Sequence, residues 1–204
     1  MVAILDYGIG NINSILNMFK KIGVKAAASS DPSVIANAEK LILPGVGHFD
    51  YCMQQLRSSK FYELLHQKVL EDKIPLLGVC VGCQMLMEAS EEGREKGLGW
   101  IRGRVVRFKT DQMNANLKIP HMDWTEVHPK DSCLLYSGIA DPRFYFVHSY
   151  HVQCDDPGMV TATAHYGYDF AASIQSGNIS GVLFHPEKSH RFGMDLYRNF
   201  SNLY

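Results

Sequence analysis

The sequence is short of several things, and each shortage excludes something. It has no excess of charge: 20 Lys and Arg stand against 21 Asp and Glu, a formal net charge of -1, so no overall field draws the chain to DNA, RNA or an acidic membrane. A small molecule or a protein is the expected partner. No run approaches the roughly 20 apolar residues needed to cross a bilayer. The N-terminal residues, MVAILDYGIGN, have no basic region ahead of an apolar stretch of leader length, so neither membrane insertion nor export is expected. The five cysteines (Cys52, Cys80, Cys83, Cys133 and Cys154) are odd in number and scattered, a poor disulfide framework that suits a reducing cytoplasm. Internal repeats, low-complexity tracts and flexible linkers are also missing. What remains is 46% apolar and 20% charged residues in a chain of 204, enough to bury a core against chain entropy and of a length suited to one domain spanning 1–204.

The first half alternates strand and helix. Residues 2–5 form an apolar run that stops at Asp6-Tyr7-Gly8-Ile9-Gly10, and Asn11 opens an amphipathic stretch with Ile12, Ile15, Leu16 and Phe19 on one face. Strands are expected again at 24–28 and 41–43, the second ending in Pro44-Gly45-Val46-Gly47. Two helical stretches follow over about 50–70, with a break near Ser58-Ser59. A further apolar run, 74–79, leads into a helix over 84–89. From Ile101 short alternating runs take over, at 105–108, 145–147, 160–164, 171–174 and 182–184, before a last helix near 194–203. The expected fold is α/β: a single domain with a central, mostly parallel sheet flanked by helices and a strand-rich second half. The charged cluster EEGREK at 91–96 reads as a solvated loop.

Gly78-Val79-Cys80-Val81-Gly82 sets a cysteine between two glycines, after a buried strand and before a helix. This is the thiol counterpart of the G-x-S-x-G nucleophile elbow, a sharp turn that needs glycines to clear crowded backbone and that exposes the central side chain. A helix N-terminus behind it favours thiolate over thiol. Two plainer readings stay open: a buried small hydrophobe, or a C-x-x-C pair of Cys80 with Cys83 acting in redox chemistry or as half a zinc site. The flanking glycines speak against the first, and the lack of a second closely spaced ligand pair speaks against zinc.

A cysteine nucleophile works best with an imidazole to move its proton and a third group to orient the ring. His185-Pro186-Glu187 offers both at the end of the apolar run 181–184, with Pro186 stiffening the link. Most histidines are structural or exposed, and His148 with His151 could be read as a metal pair, though without a convincing third ligand. His185 stands out because it shares a chain with the cysteine elbow. Together they point to cysteine-based acyl transfer or hydrolysis.

These residues resemble the class I, triad-type glutamine amidotransferases, whose elbow reads like GVCVGCQML (78–86) and whose second signature reads like GVLFHPEKS (181–189). The likeness runs nearly end to end through DYGIGNINSI (6–15), LPGVGHF (43–49), PHMDW (120–124) and YFVHSYH (145–151), and is closest to the branch that feeds a cyclase in histidine biosynthesis. The resemblance implies that Cys80 attacks the side-chain amide of L-glutamine, that His185 shuttles the proton and that Glu187 orients His185, yielding glutamate and ammonia without metal or cofactor. The N–H of Val81 would be one oxyanion donor and the Gly45-Val46-Gly47 loop would supply another, its two glycines letting the peptide units turn. Gln84 and Glu92, with His148 and Ser149 on a neighbouring strand, would hold the amino-acid end of glutamine. Asn11, Ser14, Trp124, Tyr145 and Lys188 resemble the set that faces a cyclase or synthase subunit, with which the chain would form a heterodimer containing an ammonia passage.

One segment departs from the family pattern. His121-Met122-Asp123-Trp124-Thr125 carries Asp123 and Thr125 where the family commonly shows glycine and asparagine, which adds a charge near the expected interface. This motivates a second reading, a paralogous subunit supplying ammonia to another synthase, such as one making an amidino sugar for surface polysaccharide. Val81 and Cys83 also replace the commoner leucine and methionine, a mild apolar exchange. A catalytically silent binding or scaffold protein that kept the fold, and an unrelated cysteine hydrolase, are the remaining alternatives.

Overall fold

In the computed structural model, which describes residues 1–109, 111 and 117–204, the apolar runs of the first half become parallel strands. β1 (Val2–Leu5), β2 (Ala26–Ser29), β3 (Lys40–Gly45) and β4 (Leu76–Cys80) alternate with α1 (Ile12–Lys21), α2 (Pro32–Ala36), α3 (Phe49–Arg57) and α4 (Tyr62–His66). α5 (Val81–Gln84) follows β4 at once. β1 and β4 are buried along their whole length, as strands covered on both faces must be, which is why they read as continuous apolar runs.

The second half is β5 (Ala89–Ser90), β6 (Gly103–Arg107), β7 (His121–Pro129), β8 (Arg143–His148), β9 (Tyr150–Cys154), β10 (Val160–Tyr166), β11 (Tyr168–Ser176) and β12 (Ile179–Val182), closed by α6 (His190–Leu203). The main sheet runs β2-β1-β3-β4-β12-β11-β10-β7-β8. It is parallel from β2 to β12 and antiparallel from β12 to β8. The expectation of a mostly parallel sheet therefore describes the first half, and the sheet as a whole is mixed. α1 and α6 cover one face together: Phe19 and Tyr197, both fully buried, meet with ring centroids 4.9 Å apart and planes tilted by 34°.

Two expectations are corrected. The helix expected over 84–89 stops at Gln84, because the N–H groups of Gly97 to Ile101 take the carbonyls of Met85 to Glu88 that a longer helix would use. The 91–96 cluster is not a solvated loop but is docked on α3: the Asp50 carboxylate accepts the N–H groups of Arg94 and Glu95 at 2.9–3.0 Å, and Arg57 pairs with Glu95 at 2.5 Å.

β12 joins the two halves and sets the site. Its Gly181 and Val182 lie beside Gly78 and Val79 of β4, while Gly45 of β3 lies beside Cys80. Chain leaving β12 thus arrives next to the carboxyl end of β4, where open α/β sheets place their ligands.

Candidate active site

Cys80 ends β4 in a conformation that few side chains adopt, with φ 55° and ψ -113°. The strain falls on the cysteine itself; the glycines serve a different need. A Cβ on Gly78 would lie 2.7 Å from the Gly82 oxygen, one on Gly82 would lie 2.0 Å from the Leu43 oxygen, and one on Gly45 would lie 2.3 Å from the Gly82 nitrogen. β3, β4 and α5 therefore touch backbone to backbone at three glycines, and the elbow cannot form with any larger residue there. α5 is a single turn, so its dipole contributes less than a full helix would. Cys83 is wholly buried beside Gly181, and burial pushes its thiol well above the ordinary range. It is a packing residue turned from the pocket.

His185 lies three residues past β12, 2% exposed, with its N–H bonded to the Tyr145 carbonyl at 2.9 Å. Glu187 follows on the short turn Pro186–Lys188, and its Oε1 accepts from His185 Nδ1 at 2.7 Å. Since Nδ1 is so held, Nε2 is the ring nitrogen left for Cys80, which lines the same cavity. The side-chain amide of Asn11 donates to the same Glu187 oxygen at 2.8 Å. Burial alone lowers the His185 pKa, but the neighbouring Cys80 and the hydrogen-bonded Glu187 carboxylate outweigh that and raise it to about 10. For Glu187, burial acts upward, while the hydrogen bond and charge of His185, helped by Asn11, hold it below its ordinary value. The three side chains form one charge-coupled unit, able to offer a nucleophilic sulfur, a proton donor to a leaving group and a fixed imidazole.

Cys80 and His185 line a cavity of about 370 Å³ together with Val46, Gly47, Val81, Gln84, Glu92, His148, Ser149, Asn11 and Lys188. Gly45 is not on its wall. It is a strand residue jammed against Gly82, with no positive φ, so the turning freedom expected of both loop glycines belongs to Gly47 alone, at φ 88° with open space around its Cβ position. The Val46 carbonyl accepts from Cys52 Sγ at 3.3 Å. Glu92 reaches the cavity because its Oε2 accepts the N–H of Phe49, at the start of α3, at 2.8 Å.

His148 contributes to the wall from a buried chain of hydrogen bonds whose directions can be deduced. Its Nδ1 is 2.8 Å from the Tyr150 carbonyl, which can only accept, so Nδ1 carries the proton and Nε2 accepts. His121 Nδ1, 3.0 Å away, must then donate, and its Nε2 accepts from the Thr125 hydroxyl at 2.8 Å. The Tyr150 carbonyl also receives Gln84 Nε2 at 3.3 Å. Burial keeps both rings neutral, pushing His121 down to about 4 and His148 well below the ordinary imidazole value. His151 turns the other way, to the Tyr168 hydroxyl at 3.0 Å, so it and His148 do not converge as a metal pair would.

Of the residues expected to face a partner, Asn11 and Lys188 reach the cavity wall, while Ser14, Trp124 and Tyr145 lie outside it. Trp124 stacks on His190 with centroids 5.5 Å apart, and Lys188 Nζ lies 5.7 Å from the centre of the Tyr145 ring. Ser14 is exposed on α1, and Asp123 is exposed with its carboxylate bonded to the N–H of Trp124 at 2.7 Å. Neither His121 nor Asp50 is marked by sequence alone. The only signal for Asp50 is that Asp50, Gln54 and Arg57 recur at helical spacing opposite a charged loop.

A parallel sheet ending in a strained cysteine, with a buried imidazole and carboxylate beside it at the mouth of a cavity, defines a triad-type cysteine enzyme of acyl transfer. Comparison with known proteins makes this specific: the chain belongs to the class-I glutamine amidotransferase family, whose model matches residues 3–202. A protein of Pseudomonas aeruginosa named imidazole glycerol phosphate synthase subunit HisH 2 is 48% identical over 204 residues, the full length of both chains. One of the same name from Methanococcus maripaludis is 48% identical over 201 residues, 98% of each chain, and the imidazole glycerol phosphate synthase subunit HisH of Bdellovibrio bacteriovorus is 44% identical over the full length of both. Among solved structures, a glutamine amidotransferase superposes with a TM-score of 0.76 at 20% identity, over 99% of this chain and 97% of its own. PurLQS from Thermotoga maritima gives 0.73 at 17%, with the same coverage. At that identity the structures speak for the fold alone.

Proposed function

We propose that this domain, residues 1–204, is the glutaminase subunit of an imidazole glycerol phosphate synthase, and that Cys80, His185 and Glu187 perform its chemistry. The observation that carries the proposal is Cys80 sharing a cavity wall, edged by Gln84 and Glu92, with a His185 ring that Glu187 holds by hydrogen bond. The Cys80 sulfur attacks the amide carbon of glutamine. The oxyanion that forms is met by the N–H of Val81 and by an N–H of the Val46-Gly47 peptide region. His185, protonated through its pairing with Cys80, gives its proton to the departing nitrogen as the C–N bond breaks and ammonia leaves. Water, deprotonated by His185, then attacks the thioester, releasing glutamate and restoring the sulfur. Glu187 keeps the ring in the tautomer that both steps need. The partner is a cyclase subunit bound over the Trp124, Tyr145 and Lys188 face in a heterodimer, with ammonia passing between the subunits in the cytoplasm. Full-length likeness to proteins named as subunits of that synthase supports this reading.

The test is glutamate formation from glutamine by the chain with its cognate cyclase, together with growth of a histidine-requiring strain that lacks the native subunit. Loss of glutamate on Cys80→Ala and restored growth are expected. No glutamate above background would remove the enzyme reading, and turnover of esters or peptides in place of glutamine would leave only an unrelated cysteine hydrolase.

A specific observation favours a second destination for the ammonia. Asp123 puts a carboxylate on the surface beside Trp124, on the face that a synthase subunit would cover. A paralogous subunit serving another synthase would release glutamate in the assay yet fail to restore growth without histidine.

A further inference from the structure

α3 is tied to the 92–96 loop from both sides. Asp50, the second residue of α3, turns its carboxylate away from its own helix: Oδ1 and Oδ2 accept the Arg94 N–H at 3.0 and 2.9 Å, and Oδ1 accepts the Glu95 N–H at 2.9 Å. One and two turns further on, Gln54 donates to Glu95 Oε1 at 3.1 Å and Arg57 pairs with Glu95 Oε2 at 2.5 Å. The positions i, i+4 and i+7 share one helix face, and that face is committed to the loop. The loop answers from its other end, where Glu92 Oε2 accepts the Phe49 N–H at 2.8 Å. Gly93 is fitted to the clamp: a Cβ there would fall 1.9 Å from Asp50 Oδ1.

The result is a Glu92 side chain fixed on the wall of the Cys80 cavity with one oxygen spent on α3. Among the described residues the other oxygen takes no hydrogen bond. A fixed carboxylate on the wall of the cavity that Cys80 lines suits the ammonium group at the amino-acid end of a substrate whose amide must meet Cys80. Without the clamp, the Glu92 side chain would be held only by its hydrogen bond from the Phe49 N–H.

We propose that Asp50 is a positioning residue for glutamine recognition: by docking the 92–95 loop on α3 it holds Glu92 where the substrate ammonium binds. This rests on the glutaminase reading, and the experiment separates the two. The full-length chain is alkylated at Cys80 with two reagents, a diazo-ketone analogue of glutamine that carries its ammonium and carboxylate, and iodoacetamide, which carries neither. Labelling of the Cys80 peptide is followed by mass spectrometry.

In Asp50→Ala, labelling by the glutamine analogue is expected to slow about tenfold while iodoacetamide labelling stays within about twofold, since a misplaced recognition group costs the substrate-like reagent alone. Asp50→Asn, which keeps an accepting oxygen, should fall between. Gly93→Ala, which fills the clamp from the loop side, should repeat the alanine result if Asp50→Ala folds poorly. In steady-state assays with the cyclase, the same variants should raise KM for glutamine about tenfold and leave kcat within about twofold. Unchanged labelling by the analogue, or equal slowing with both reagents, would overturn the role of Asp50. A wild-type chain with no preference for the analogue over iodoacetamide would overturn the glutaminase reading itself.

Discussion

The side-chain amide of Asn11 donates to Glu187 at 2.8 Å, on the same oxygen that holds the His185 ring at 2.7 Å. The other Glu187 oxygen is buried and has no partner among the described residues. A buried carboxylate is costly unless its lone pairs are met, so Asn11 is half of the support that this one has.

Removing that support should show in turnover. Asn11→Ala is expected to lower kcat roughly tenfold with KM little changed, the cost of one hydrogen bond to a charged group, about 1.5 kcal/mol. Glu187→Gln should cost about a hundredfold or more in kcat, because an amide can present the wrong group to Nδ1 and fix the wrong tautomer. Full activity in Glu187→Gln would show that the carboxylate does not orient His185.

Stability should fall on both sides of neutrality, for opposite reasons. The folded pKa of His185 is raised from 6.5 to about 10, so its contribution is complete below about 6.5 and is lost as pH rises through about 10. His121 is depressed from 6.5 to about 4, so its contribution is complete above about 6.5 and is lost as pH falls through about 4. Denaturant midpoints measured across this span should decline at both ends, and Cys80→Ala, which removes a neighbour that raises the His185 pKa, should flatten the alkaline side only. An alkaline decline unchanged in Cys80→Ala would contradict the pairing.

The two loop glycines should behave differently. Gly45→Ala drives a methyl to 2.3 Å from the Gly82 nitrogen, an overlap of backbone that cannot relax cheaply, and should cost about 3 kcal/mol or more in urea unfolding. Gly47→Ala meets open space and pays only for its φ of 88°, about 1 kcal/mol. Equal losses would mean that β3 and α5 are less tightly joined than the contact distances imply.

Thr125→Val keeps the shape of the side chain and removes the donor to His121 Nε2. Thr125 is only half-buried, so the expected loss is about 1 kcal/mol. A parallel check is the imidazole nitrogen shift of His121 by NMR, which should lose its single-tautomer signature in the variant. An unchanged tautomer would show that the proton positions along the chain are set from the Tyr150 end alone.

The parts of this architecture that were legible in sequence are those in which local pattern and chemistry coincide. The glycines around Cys80 announce a crowded turn, and the apolar run ahead of His185 announces a strand that can only deliver it to a sheet end. Lost to sequence were relationships whose partners lie far apart along the chain. Asn11 and Glu187 are separated by 176 positions, and nothing near Asn11 indicates a bond to the triad in place of, or as well as, a partner subunit. The cluster 91–96 looks solvated by composition because its pairing face on α3 is 41 positions away, at Gln54. The helix expected over 84–89 fails for a related reason: the competing N–H groups come from 97–101, and no propensity within 84–89 can report them.

At φ 55° and ψ -113° the elbow position is one that glycine would occupy at ease and cysteine occupies at a cost of about 1–3 kcal/mol. Replacement of Cys80 by glycine would therefore tend to strengthen the fold while ending the chemistry. In a lineage freed from the need for that chemistry, random change at this codon meets no resistance from folding and a mild reward, so the thiol is among the first things such a protein loses. The thiol thus sits where folding alone would favour glycine.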